Sequence, residues 1–207
     1  MVPMVDEHPV LQAIRARRSI RRYRAEQVPV ALVEAVLDAA CWAPSAHNRQ
    51  PWRFAVLRDP APKERLAAAM GARLRADRLA GGDAADDVER DVQRSHARIT
   101  AAPVVIVVCL SMVDMDAYPD ARRAEAERTM AVQSTAAAVQ NLLLAAHALG
   151  LGACWMCAPL FCPDMVRDAL ELPADWEPQA LVTMGWPGEA PARERRPIQE
   201  VVLRAED

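Results

Sequence analysis

Pro103-Val104-Val105-Ile106-Val107-Val108-Cys109-Leu110 is the stretch that decides the fold. A proline opens a continuous run of β-branched and apolar side chains with no polar alternation, so the strand it forms is covered on both faces and sits at the centre of a sheet. Such a sheet needs helices above and below, and the surrounding sequence supplies them. Upstream, Leu32, Val33, Val36, Leu37, Ala40 and Cys41 recur at helical spacing from Val30 to Cys41, between a starting Pro29 and a terminating Pro44. Trp52 to Leu57 is a strand closed by Asp59 and Pro60. Lys63 to Leu79, with Leu66, Met70 and Leu74 four apart, and the set Val88, Val92, Ser95 and Ile99 read as half-exposed helices joined at Gly81-Gly82-Asp83. Downstream, Glu125 to Leu149 is the longest helix. Its second half, Val132 to Ala148, is apolar or small nearly all round, apart from Gln133, Gln140, Asn141 and His147, and is therefore buried in a core or against a second subunit. Gly150 and Gly152 stop it, and a short apolar stretch follows through Trp155. A short helix from Asp164 to Leu170 and a last strand from Ala180 to Gly185 precede a Pro- and Arg-rich tail. No repeat or low-complexity linker divides the chain, so residues 1–207 form a single domain of α/β or α+β type.

Composition narrows the function classes. The 207 residues are 52% hydrophobic, which argues against disorder. Their 28 acidic and 25 basic side chains leave a net charge of −3, without the basic surplus of a dedicated nucleic-acid binder. The apolar runs are too short to cross a membrane. Asp6 and Glu7 ahead of the first Arg do not suit a signal peptide, and five cysteines, an odd number, suit a reduced cytoplasmic compartment better than a disulfide scaffold.

Three segments carry chemistry. Arg15 to Arg24 holds six Arg and no acid, and within it Arg17-Arg18-Ser19-Ile20-Arg21 flanks a hydroxyl with planar cationic forks suited to a phosphate and neighbouring hydroxyls. Ala43-Pro44-Ser45-Ala46-His47-Asn48-Arg49-Gln50-Pro51-Trp52 lies between a helix end and a strand; its prolines keep it out of helix while Ser45, Asn48 and Gln50 offer groups that read a polar heterocycle. At the end of the chain, Gly185-Trp186-Pro187-Gly188 is followed by Arg193, Arg195 and Arg196. Taken singly, each has a plain alternative as a helix end, a capping loop or a solvated tail.

Together, from about Arg17 to Val202, they resemble the nitroreductase family of flavin-dependent oxidoreductases. Arg17, Ser19 and Arg21 match its Arg-x-Ser-x-Arg opening, and Pro44, Ser45, Asn48 and Gln50 match its Ala-Pro-Ser-x-x-Asn-x-Gln-Pro-Trp loop. Gly150-Leu151-Gly152, then Gly185 and Pro187, then Arg193 and Arg195, complete the order. The resemblance implies an α+β fold with a mixed sheet between helices, an interlocked homodimer, and one FMN in each of two interface sites. It places Arg17, Arg18, Ser19, Arg21 and Arg195, with help from Arg193, around the phosphate and ribityl chain or the pyrimidine edge of the flavin. Pro44, Ser45 and Asn48 of the partner would line the ring, with Gln50 near the ribityl chain and the Cys154-Trp155-Met156 backbone near the flavin's reactive nitrogen. A fixed Arg at the pyrimidine side favours reduced flavin, so the cofactor carries the electrons and no catalytic side chain is assigned.

The expected activity is ping-pong transfer from NAD(P)H to a nitroaromatic, quinone or related small molecule, with no nucleic-acid or membrane partner. Two alternatives stand beside it. Gly150 through Trp155 and the run from Val166 to Pro178 resemble the reductase domain of deazaflavin-cofactor biosynthesis proteins, whose substrate is an unsaturated deazaflavin intermediate; from another class comes a flavin-binding protein without turnover. Cys154, Cys157 and Cys162 have a C-x2-C-x4-C spacing, but a structural zinc wants four ligands and the other two cysteines lie in apolar periodic segments, so no metal is expected. His47 is either a substrate contact or a solvated loop residue, and Gly71 to Arg94, the stretch least like the family, is expected to set pocket selectivity.

Overall fold

The computed structural model describes residues 8–203. Asp6 and Glu7, on which the reading of the N-terminus rests, lie outside them. Four strands, β1 (Trp52–Leu57), β2 (Val104–Leu110), β3 (Gly152–Met156) and β4 (Glu177–Gly185), form one sheet in the order β1-β2-β4-β3. Every residue of β2 is buried, as its unbroken apolar run requires. The named strands all pair antiparallel, and the parallel component is a single bridge between Ser19 and Ala153. That bridge belongs to the site.

Side-chain alternation divides the core into two layers. Val104, Ile106 and Val108 of β2, with Val182 and Met184 of β4, pack under α2 (Val30–Cys41) and α5 (Ala121–Ala148). Val105, Val107 and Cys109, with Leu181, face α3 (Pro60–Ala80), α4 (Ala85–Thr100) and α6 (Pro163–Leu170). The sheet thus lies between helices, and the bounds of α2, β1 and β2 match the sequence periodicity residue for residue. Helix α5 starts four residues earlier than its apolar pattern, because the Asp120 carboxylate accepts from Arg123 N at 3.0 Å and caps it. Strand β4 starts three residues before its apolar run, across a register shift opposite Val108 and Cys109. One helix, α1 (Pro9–Ala16), escapes the sequence pattern: it buries none of its residues, so no core-facing stripe marks it.

Burial of the Cys109 thiol pushes its pKa up to about 12. A thiol protonated when folded and ionisable near its ordinary value when unfolded stabilises the fold fully below about pH 9, and that contribution is lost as pH rises toward 12.

The tightest packing joins the sheet edge to the segment after α1. A Cβ built on Gly152 meets Ile20 Cβ and Cγ2 at 2.8 Å and Cγ1 at 2.9 Å, so only glycine lets that segment lie flat on β3. Gly152→Ala is expected to destabilise the protein by about 1–3 kcal/mol in urea denaturation. Gly81→Ala is expected to stay within about 0.5 kcal/mol, since its nearest non-neighbour contacts are backbone oxygens at 3.4 Å.

Candidate functional site

Beyond α1 the chain becomes an extended arm, residues 17–24, laid along the free edge of β3. Ile20 N donates to Ala153 O at 3.0 Å. The arm then crosses to the segment after β4, where Arg24 N donates to Trp186 O and Gly188 N to Arg22 O, both at 2.9 Å. The Tyr23 hydroxyl sits 2.5 Å from Ile20 O, 2.9 Å from Thr183 O and 2.8 Å from Thr183 Oγ1, and burial raises its pKa well above the usual phenol value. Glu189 completes the clamp, its Oε1 accepting from Arg21 N at 2.7 Å and Arg22 N at 3.2 Å. These bonds bring the two extremities of the chain together.

The arm separates two clefts. The larger, of about 800 Å3, lies between the arm and α4, with Ser19, Arg21, Arg22, Tyr23, Arg94, Arg98, Glu189 and Arg193 on its walls. The smaller, of about 480 Å3, lies toward the end of α5 and is lined by Arg17, Arg18, Ile20, Leu143, His147, Gly152 and Pro187 among others. Arg195 reaches the same neighbourhood: partial burial lowers the Arg17 pKa first, and repulsion from Arg195 and then Arg18 lowers it further. The guanidiniums of Arg17, Arg21, Arg98 and Arg193 make no hydrogen bond or ion pair among the described residues. The site is a concentration of uncompensated positive charge around the Ser19 hydroxyl.

Arg18 is used differently. Its Nη1 donates to Arg15 O at 2.5 Å and Arg17 O at 2.9 Å, satisfying carbonyls at the end of α1. On β3, Cys154 and Met156 point to the sheet face opposite Ala153 and Trp155, and Cys154 feels the charges of Arg21, Arg98, Glu189 and Arg17. Trp155 points to the opposite face, against the α2 and α5 core, with Nε1 buried and unpartnered.

Pro44, Ser45, Asn48 and Gln50 line neither cleft of the same chain. Their loop is rigidly shaped: His47, Asn48 and Gln50 adopt φ of 49°, 54° and 51°, in the left-handed region disfavoured for side chains other than glycine. Gln50 N donates to Ser45 Oγ at 3.1 Å, Ala46 N donates to Ser134 Oγ at 3.2 Å, and Arg49 is paired to Asp116 at 2.5 Å. The side chains of His47, Asn48 and Gln50 are left exposed.

Sequence reasoning missed Arg94, Arg98, Tyr23 and Glu189. Arg94 and Arg98 lie four apart on one face of α4, a spacing visible in the sequence, but the helix is so densely charged that nothing separates them from its solvated residues. Of Gly71 to Arg94, only Arg94 reaches the larger cleft; the rest belongs to the α3–α4 hairpin, laced by ion pairs such as Arg75–Glu89 at 2.8 Å. The cysteine spacing gathers no ligand set. Cys154 and Cys162 are buried, Cys157 is exposed, and no group of three or more His, Cys, Asp or Glu among the described residues is arranged to hold a metal ion. No helix among the described residues is long and apolar enough to cross a membrane.

An antiparallel sheet between helices, edged by an arginine-bearing arm, defines an α+β protein with a cluster of guanidiniums at a sheet edge. Comparison with known proteins identifies the class: the nitroreductase family model matches residues 14–186, and the chain belongs to that family. It is 34% identical to a protein of Thermus thermophilus named NADH dehydrogenase, across 94% of this chain and 97% of that one. A Methanothermobacter thermautotrophicus protein named as an NADH dehydrogenase/NAD(P)H nitroreductase is 33% identical, across 90% of this chain and 82% of the other. The crystal structure of a protein described as a nitroreductase in complex with FMN, from Desulfovibrio desulfuricans, superposes with a TM-score of 0.74 at 35% identity, covering 97% of this chain and 99% of that one.

Burial holds the Cys154 and Cys162 thiols above the usual range, as it does Cys109, whereas Cys41 and Cys157 are exposed. Only the thiolate attacks a disulfide reagent. At pH 8, titration of the native protein with an aromatic disulfide is therefore expected to show no more than two fast thiols, and all five after denaturation; three or more fast thiols would contradict the buried placement.

Proposed function

We propose that this chain is a homodimeric, FMN-dependent oxidoreductase that passes reducing equivalents from NAD(P)H to an electron-poor acceptor such as a nitroaromatic or a quinone. Four unpaired guanidiniums and a hydroxyl beside one sheet edge, in a chain of this family, carry the assignment. The donor set fits the cofactor: a phosphate dianion and a ribityl chain need clustered planar cations and hydroxyls, and the arm offers both.

Arg17, Ser19, Arg21 and Arg195, with Arg193, hold the phosphate and ribityl chain or the pyrimidine edge of the flavin. Arg18, bonded back to α1, stiffens the arm. The β3 backbone at Cys154, Trp155 and Met156 underlies the ring. FMN, when bound, supplies the two-electron chemistry, so the protein's own groups bind, orient and tune rather than attack. A fixed guanidinium near the pyrimidine edge favours the state with negative charge there. Reductant and acceptor then use the cleft in turn, which is ping-pong kinetics.

The second copy enters through the loop from Pro44 to Gln50. In one chain that loop stands apart from both clefts, yet its strained backbone is fixed and its side chains point outward. A second observation supports pairing of copies. On the outer face of the second half of α5, Val132 remains exposed and Ala136 and Leu144 are only half-buried, interrupted by the exposed Gln140. In a homodimer the partner's Pro44, Ser45 and Asn48 line the flavin ring, with Gln50 near the ribityl chain.

Purified protein is expected to show flavin absorbance, to bleach rapidly with NADH or NADPH without oxygen, and to recover colour on addition of an acceptor. Replacing Arg17 and Arg195 together by Gln is expected to weaken FMN binding roughly a hundredfold, on the order of 3 kcal/mol for two charge-assisted contacts. Unaltered FMN retention by that variant would remove the proposed cofactor site. Bound flavin that NAD(P)H fails to bleach would leave a flavin-holding protein without turnover.

A further inference from the structure

We infer that the α4 wall of the larger cleft, Arg94 and Arg98, binds an anionic group of the second substrate, so that the enzyme selects reductants or acceptors by charge. The inference rests on the FMN assignment above and concerns the α4 wall of the cleft that Ser19, Arg21 and Arg193 also line.

The positive charge around the arm exceeds what a mononucleotide can neutralise. A phosphate monoester carries at most about two negative charges, and Arg17, Arg21, Arg193 and Arg195 already cover them. Arg94 and Arg98 are additional, one helical turn apart on the same face of α4, across the cleft from Ser19 and Arg21. Arg98 is half-buried, yet its guanidinium has no hydrogen bond or ion pair among the described residues. Arg94 is paired with Asp91 at 2.5 Å, in a network that Arg78 and Asp83 complete with balanced charge, so the uncompensated charge on this wall is that of Arg98, with Arg94 beside it. Glu189, the carboxylate among the lining residues, accepts from the arm's backbone N–H groups and pairs at 4.0 Å with Arg22, which leaves Arg21, Arg98 and Arg193 without a counterion among the described residues.

A cleft lined by one sign of charge raises the local concentration and association rate of opposite charge, by roughly 10- to 1,000-fold at low salt. The chemistry recognised is a carboxylate, sulfonate or phosphate standing off the reacting ring. Two sources can present it: the additional phosphate of NADPH, or an acceptor bearing an acidic group.

The test uses the FMN-loaded protein and ratios of kcat/KM within two pairs, NADPH against NADH with a neutral quinone, and menadione sulfonate against menadione with a fixed reductant. In at least one pair the more anionic member is expected to be favoured by about tenfold or more at low ionic strength, with the preference shrinking as salt screens the cleft. Arg94→Gln and Arg98→Gln are each expected to remove part of that preference, and the pair whose ratio collapses identifies the source. The salt dependence is measured on the unaltered enzyme and so does not rely on either variant folding or keeping FMN. A wild-type enzyme blind to charge in both pairs, or a preference insensitive to salt and to both substitutions, overturns the inference and leaves the α4 arginines as solvated side chains. Protein that holds no FMN fails the earlier assignment instead.

Discussion

Positive charge that finds no counterion within the chain, held in place by backbone hydrogen bonds, is the constraint on which the site depends. Guanidiniums repel one another, and the lowered pKa of Arg17 beside Arg195 and Arg18 records that repulsion. Left to side-chain freedom, they would spread into solvent. They stay near one another because the arm is tied to Ala153, Trp186 and Gly188 through the main chain, and because Glu189 holds the backbone N–H groups of Arg21 and Arg22 while pairing with the Arg22 guanidinium at 4.0 Å. Binding an anion offsets a repulsion already present in the fold, which is a form of preorganisation.

The sheet provides the platform for that arrangement. Strand β2, buried throughout, sets β4 beside it, and β4 carries β3 at the edge, where an additional segment can pair. Two glycines make the approach possible. Gly152 admits Ile20, and Gly185 lies so close to Pro103 that a Cβ there would meet its ring at 2.8 Å. The same edge that accepts the arm is thereby protected from pairing with other chains. On the far side, α5 buries one face in the core and leaves Val132 exposed on another.

Much of this was legible from residue patterns. The unbroken run at Val104 to Leu110 announced a central strand, and the bounds of α2 and β1 followed from periodicity and proline placement. Ser19 and its flanking arginines stood out because six cations without an acid are rare in ten residues. Helix α1 did not stand out, since a helix that buries nothing leaves no apolar stripe. Arg94 and Arg98 were hidden by the opposite problem: among the many charges of α4, the two that face a cleft look no different from those that face water. Arg18 belonged to the conspicuous cluster, yet its guanidinium was claimed by α1, a consequence of where that helix ends.

The amino-acid order alone determined the central strand, the family and the element types other than α1, because these depend on local periodicity and on motifs read in sequence. Only the tertiary structure decided which charges face the same space. Arg17 and Arg195 are separated by nearly the whole chain, and Arg21 shares a cleft with Arg98 only because α4 packs on the sheet beside the arm. Local rules do not reach that far: convergence of distant residues is a property of how layers stack and edges pair, and it exists only once the core has closed.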